Sequence, residues 1–376
     1  MVVQVECVGH GDLGEAMRKL AVLVGATAVL GTLVADRADA IPAFSRRYEV
    51  SCQVCHTGYP KLNLVGQRFK ESGFRMEREG AFDAGQWARG VPVSVRGSMA
   101  RLLSEAAEDT SVGELRGISA GNLGERFSYW VDAGLRFRNA AEGESSVDSI
   151  KPVDAYLRWD AARDGRFYVK AGRMQMAIPF TQLRSPHLLP YEIYTAFPVD
   201  PIDTSKNGLE IGGDLAASWR WSIGGYQGAN DSSSSDFSFF LRASKRMGSN
   251  RVGGFAHLGS NAPGDVHFTR MGGDLDIVLR QLDVYGLYAY SKFGEAPAVH
   301  GGFVQADYPI EDKIVLTCRA NLVSQPAADS LTRETLLSAT PGVQVFIFER
   351  LKLSFEYDFP DQQRPSRGQL QAELAF

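Results

Sequence analysis

Residues 127–138 read Phe127-Ser128-Tyr129-Trp130-Val131-Asp132-Ala133-Gly134-Leu135-Arg136-Phe137-Arg138, and their alternation decides the fold. Phe127, Tyr129, Val131, Ala133, Leu135 and Phe137 point one way. Ser128, Trp130, Asp132, Gly134, Arg136 and Arg138 point the other. Successive side chains of a strand face opposite sides, so a period of two makes one apolar and one polar surface. A soluble sandwich would turn the apolar surface inward and use shorter strands. A segment of about ten residues with apolar residues out and polar residues in is that of a transmembrane β-strand.

The same split recurs along the chain. At 153–161 the polar face is Asp154, Tyr156, Arg158 and Asp160. At 313–322 Lys313, Val315, Thr317, Arg319 and Asn321 oppose Ile314, Leu316, Cys318, Ala320 and Leu322. At 351–359 Lys352, Ser354, Glu356 and Asp358 oppose an apolar set. About sixteen such segments are expected between residues 92 and 376. Tight turns near 122–125, 162–164, 219, 248–250, 280–281, 310–312 and 349–350 alternate with longer loops. The expected fold is therefore all-β: a transmembrane antiparallel β-barrel of about 16 strands over 91–376. An even count puts both chain ends in the periplasm. On the last segment Leu370, Ala372, Leu374 and the terminal Phe376 share a face, which resembles the sorting signal of outer-membrane proteins.

Composition agrees with this. Aromatic residues are 10% of the chain and glycines number 39, while charged residues at 22% exclude a helical membrane bundle and a disordered chain. A net charge of −4 leaves no nucleic-acid footprint. Lumen-facing Arg96, Arg116, Arg136, Arg158 and Arg242 alternate with Asp132, Asp154, Glu210 and Asp214, a mixed set rather than the basic ladder of an anion pore. The expected outer loops carry Glu105, Glu108, Asp109, Glu142, Glu144 and Asp148, a negative rim that Arg364 and Arg367 oppose. One loop, 174–206, breaks the rhythm with Met174, Met176, Phe180, His187, Tyr191, Tyr194, Phe197 and several prolines. Long loops inside a compact pattern are functional or disordered, and these aromatics favour packing inside the lumen, as a constriction or a haem cover, over a solvated loop.

The front of the chain has a different character. Residues 1–40 read as a signal peptide: Arg18 and Lys19, an apolar run from Leu20 to Val34, and Ala38-Asp39-Ala40. Met17 is a possible true start, and the mature chain then begins at Ile41. Residues 41–90 contain Cys52-Gln53-Val54-Cys55-His56. Two thiols three residues apart reach the two vinyl groups of one porphyrin, and the next histidine supplies the iron ligand. A zinc site would need four ligands, and no second such pair exists. Cys52 and Cys55 are the expected attachment points of one haem c, and His56 is its proximal ligand. Met76 and His187 are the candidate sixth ligands, with Met174 and Met176 behind them. Cys318 is left without a partner, so no disulfide is expected. A short helix is expected over 63–71 with Asn63 as its cap. About forty residues cannot enclose a haem and also build a core, so this segment is expected to enter the barrel and plug it.

The run Pro42-x-Phe44-x-Arg46, Cys52-x-x-Cys55-His56, Pro60-x-Leu62, Gly66-x-x-Phe69-Lys70 and Gly73-Phe74, followed by a barrel, resembles the fused monohaem cytochrome–porins of bacterial outer membranes. Ser45 departs from that pattern, where alanine is expected. The resemblance implies an outer-membrane location, surrounding lipid, and electron transfer from an extracellular donor such as Fe(II) to a periplasmic cytochrome. It would make the chain an iron:cytochrome c oxidoreductase with no catalytic residue besides the haem. A diffusion porin with a structural or sensory haem is the other reading of the same residues. One haem is much shorter than the hydrocarbon core of about 30 Å, so either the donor enters the outer vestibule or a periplasmic partner reaches into the barrel, and both are expected to some degree.

Overall fold

The computed structural model describes residues 43–48, 50–75, 93–104, 110–139, 145–147, 151–161, 166–181, 188–197, 202, 204–216, 218–227, 237–261, 266–311, 313–327, 332–348, 351–361 and 365–375. All of them fall in one compact unit, Ile41–Phe376. The leader, Met76, His187, Phe376 and the acidic residues of the expected outer loops lie outside the described residues.

The strands are β1 (Val93–Ser104), β2 (Thr110–Asn122), β3 (Phe127–Asn139), β4 (Ser145–Val147), β5 (Lys151–Asp160), β6 (Tyr168–Gln175), β7 (Ser205–Ala216), β8 (Trp219–Gln227) and β9 (Phe237–Met247). They continue with β10 (Asn250–Asn261), β11 (Val266–Leu279), β12 (Leu282–Phe293), β13 (Val299–Ile310), β14 (Ile314–Pro326), β15 (Arg333–Phe348), β16 (Leu351–Pro360) and β17 (Arg367–Ala375). Apart from β4, each pairs antiparallel with its neighbours around the barrel. The sheet closes where β1 meets β17, from Arg96 opposite Ala375 to Ser104 opposite Arg367. β4 and β5 both pair with β3 and form one stave in two pieces. The result is a closed barrel of 16 staves, which leaves no free sheet edge.

Burial follows the alternation. On β14 Val315, Thr317, Arg319, Asn321 and Val323 are buried, while Leu316, Cys318, Ala320 and Leu322 are exposed. On β16 Lys352, Ser354, Glu356 and Asp358 are buried. The polar face is thus the lumen face. There Arg116 pairs with Asp132, Arg242 lies 2.6 Å from Asp274, and Lys170 lies 2.7 Å from Glu210. Arg136 departs from the expectation and is exposed, near the end of its strand.

The outer face carries two belts of exposed aromatic residues. Phe127, Phe167, Trp219 and Tyr308 mark the end with the tight turns. Phe137, Phe237, Phe239, Tyr290 and Phe359 mark the end with the longer loops. Phe127 and Phe137 share β3. Ten residues at about 3.3 Å each, tilted by about 40°, span about 25 Å, the height of the apolar band of a membrane barrel.

Candidate functional site

Two segments fill the lumen. From the long-loop end comes the stretch between β6 and β7. Met176, Ile178, Phe180, Leu189, Tyr191, Ile193, Tyr194, Phe197 and Ile202 are all buried in it. A one-turn helix, Glu192–Thr195, lies within it. It crosses to the far wall, where Tyr191 stacks on Phe303 at 4.0 Å and Phe180 lies 4.8 Å from Tyr285. Glu356 accepts a hydrogen bond from the Leu189 amide at 2.9 Å, and Arg319 donates to the Leu189 carbonyl at 3.0 Å. The expected inward loop is therefore present. Met174 and Met176 are both buried at its root.

At the tight-turn end sits the N-terminal segment, with helices α1 (Ala43–Tyr48) and α2 (Leu64–Glu71) and a 3-10 turn over Cys52–Val54. Asn63 caps α2 as expected, accepting from the Val65 and Gly66 amides at 3.0 and 3.1 Å. Such a cap is worth about 1 kcal/mol. At Gly66 a Cβ would stand 2.3 Å from the Cys55 carbonyl oxygen, so only glycine lets α2 lie against the Cys52–His56 turn. The helix ends at Gly73, whose φ of 70° is the left-handed conformation of a C-terminal cap. Phe74 follows at φ 62°, a conformation that costs a side-chain-bearing residue roughly 1–2 kcal/mol. The Phe74 ring offsets this by stacking on Phe44 at 5.5 Å and Trp130 at 5.6 Å.

The segment is tied to the wall on all sides. Arg158 donates to the Lys70 and Glu71 carbonyls at 3.3 and 2.6 Å, satisfying the exposed end of α2. Arg75 lies 2.8 Å from Asp160, and Asn122 donates to the Phe74 carbonyl at 3.2 Å. Arg246 reaches Glu71 at 2.7 Å, and Arg251 reaches Gln67 at 3.2 Å. Lys352 and Gln344 both donate to the Tyr59 carbonyl, at 3.3 and 3.4 Å. Lys61 is buried against Asp283 and lies 3.6 Å from Asp276. These partners come from β2, β5, β9 to β12, β15 and β16, so the segment plugs this end of the barrel.

Within the plug, the His56 Nδ1 lies 3.2 Å from the Lys61 carbonyl oxygen. A carbonyl only accepts, so Nδ1 carries the proton and Nε2 keeps its lone pair. Burial lowers the His56 pKa to about 4, against the pull of the Lys61 and Pro60 carbonyls, so the ring is neutral near pH 7. Burial also pushes the Cys55 thiol up. A neutral imidazole with Nε2 free, one residue after the second of two thiols spaced by three, fits the donor set of a c-type haem. Cys52, Cys55 and His56 are the residues that could hold one. A cavity of about 190 Å³ lies between α2 and the root of the inward loop, lined by Lys61, Lys70, Met176, Phe180 and wall residues; neither Cys55 nor His56 lines it. Sequence reading missed Lys61, Arg158 and Glu71 as plug anchors. A lysine between Pro60 and Leu62, in a segment bound for the interior, was the available signal.

No protein-family model matches the sequence, and no curated protein matches it. Solved structures do. OmpF of Salmonella typhi, in complex with daunomycin, is 10% identical with a TM-score of 0.59, covering 76% of this chain and 97% of that one. A loop L8 deletion mutant of OmpT, an outer membrane protein of Vibrio cholerae, is 13% identical with a TM-score of 0.57, covering 76% and 99%. An anion-selective porin from Comamonas acidovorans is 14% identical with a TM-score of 0.55, covering 76% and 98%. At these identities the likeness is one of fold: this chain is a porin-like barrel.

Proposed function

We propose that this chain is a channel protein of the bacterial outer membrane, with a bore restricted by its own N-terminal segment. The observation that carries this reading is the closed 16-stave barrel with two outward aromatic belts, a polar lumen and an inward loop. Lipid is then the immediate partner of the outer face. The fold neighbours are porins, so the channel reading has the wider support.

In the same reading the plug holds one haem c, with Cys52 and Cys55 as thioether attachments and His56 as the iron's proximal ligand. The chemistry supplied by the bound haem is one-electron exchange, which would connect an extracellular donor such as Fe(II) with a periplasmic cytochrome. The chain's own part is to hold the imidazole by the Lys61 carbonyl and to seat the segment inside the tight-turn end of the barrel. That seating favours electron transfer as a second reading, in line with the resemblance to fused cytochrome–porins. Three measurements on the purified protein separate the readings. Haem staining after denaturing electrophoresis tests attachment. Reduction of the haem by ferrous iron, with no ion conductance in planar bilayers, supports electron transfer. A stable small conductance with a haem that ferrous iron leaves oxidised supports the channel with a structural or sensory haem.

A further inference from the structure

We propose that Lys61 is the positioning residue through which the barrel wall orients the His56 imidazole. This inference rests on the reading that His56 ligates a haem iron. The two ends of Lys61 do different work. Its backbone carbonyl accepts the hydrogen bond from His56 Nδ1 at 3.2 Å. Its side chain leaves the plug and enters the wall. The ammonium pairs with Asp283 on β12, lies 3.6 Å from Asp276 on β11, and sits 3.7 Å from the centre of the Tyr285 ring. Lys61 is 5% exposed and Asp283 is 3% exposed, so the pair is shielded from water.

Tyr285 is itself fixed. Its hydroxyl donates to Asp307 at 3.0 Å, and Phe180 of the inward loop packs on its ring. An ion pair this deeply buried loses heavily when one partner is removed, because the other charge is left buried without a partner. The Lys61 main chain is therefore held against a rigid wall rather than a mobile loop. The Lys61 carbonyl fixes both the tautomer and the plane of His56, and such outer partners tune a ligating imidazole. A porin-type wall thereby does for the ligand what the body of a freestanding cytochrome would do, and a residue 222 positions away in sequence takes part in holding it.

The test uses the full chain carrying its haem, with the variants Lys61→Met, Lys61→Arg and Asp283→Asn, and Arg75→Gln as the comparison that cuts a different plug anchor. Readouts are the haem midpoint potential and the ferric electron paramagnetic resonance g-values, which report the imidazole plane. Lys61→Met and Asp283→Asn are expected to move the Fe(III)/Fe(II) equilibrium by about tenfold, or 59 mV for one electron, and to broaden the g-values. Lys61→Arg is expected to restore most of the wild-type signature, and Arg75→Gln to keep it. Haem-bearing Lys61→Met and Asp283→Asn proteins with wild-type potential and g-values would overturn the inference, as would an equal shift in Arg75→Gln. If Lys61→Met does not insert, Asp283→Asn and Lys61→Arg decide alone. A wild-type protein that stains for no haem overturns the underlying reading instead.

Discussion

The Glu71 carboxylate at the end of α2 lies 2.7 Å from Nη2 of Arg246, a residue 175 positions along the chain on β9. Arg220 on β8 stands 3.7 Å from its other oxygen. Burial works to raise the Glu71 pKa, but the Arg220 and Arg246 guanidinium groups, with Arg251, override it and hold it below the ordinary 4.5. A carboxylate with a lowered folded-state pKa contributes stability above its ordinary pKa and loses it as pH falls through the folded value. The plug should therefore stay seated from neutral pH down to about pH 5 and loosen only below about 4.5. Proteolysis of the segment against pH measures this. Glu71→Gln should loosen the plug at pH 7 and flatten the acid transition, and an unchanged profile in that variant would contradict the role of the pair.

Gly66→Ala separates helix propensity from packing. Alanine favours the helix by up to about 1 kcal/mol. Its Cβ would meet the Cys55 carbonyl oxygen at 2.3 Å and Leu62 at 2.8 Å. Overpacking of this kind costs about 1–3 kcal/mol, so the segment should lose hydrogen-exchange protection over 52–71. Gly97→Ala on β1, where a Cβ meets nothing within 4 Å, should change nothing in the same experiment.

The inward loop hangs on Leu189, held through its amide by Glu356 and its carbonyl by Arg319. Hydrogen bonds to charged groups are worth about 1.5–3 kcal/mol each. Glu356→Ala is expected to free the loop from the far wall and to raise single-channel conductance and its noise. Barrel unfolding in detergent should stay close to wild type, because the sheet pairing is untouched.

Leu322 and Asn321 test which face meets lipid. Leu322 is 44% exposed on the outer face of β14, and Asn321 is buried on the lumen side. An arginine on the lipid face near mid-strand costs about 2–4 kcal/mol. Leu322→Arg should lower folding stability in lipid by that amount, while Asn321→Ser should cost less than 1 kcal/mol or about that of one net hydrogen bond. A soluble barrel would accept Leu322→Arg without penalty.

Much of the architecture was legible in the sequence, for a physical reason. Alternation along 127–138, 313–322 and 351–359 is local, and lipid on one side with a polar lumen on the other enforces it at every strand. The cap at Asn63 was legible on the same ground, because one side chain and the next two amides make it. After the expected tight turn near 162–164, the next strand is observed as Tyr168–Gln175. It extends to where the inward loop leaves, and Arg166 and Phe167 precede it as a bend whose carbonyls still accept from Asp214 and Ala161. β4 was missed because three residues carry too little pattern to register. The plug's anchors were not legible: Lys61 with Asp283 and Arg158 with Glu71 join residues far apart in the chain, and only the closed barrel brings them together. Gly66, Phe69, Gly73 and Phe74, which carry the resemblance to the cytochrome–porins, all pack the plug: one for a close approach, one for a left-handed cap, two for an aromatic cluster.

Residues 43–48 and 50–75 occupy the tight-turn end of the lumen. Planar-bilayer recording tests it most directly, with the full chain compared to a variant lacking that segment. A small or absent conductance is expected for the full chain, and a severalfold larger, stable conductance once the segment is removed. Equal, wide-open conductance in the two proteins would contradict it.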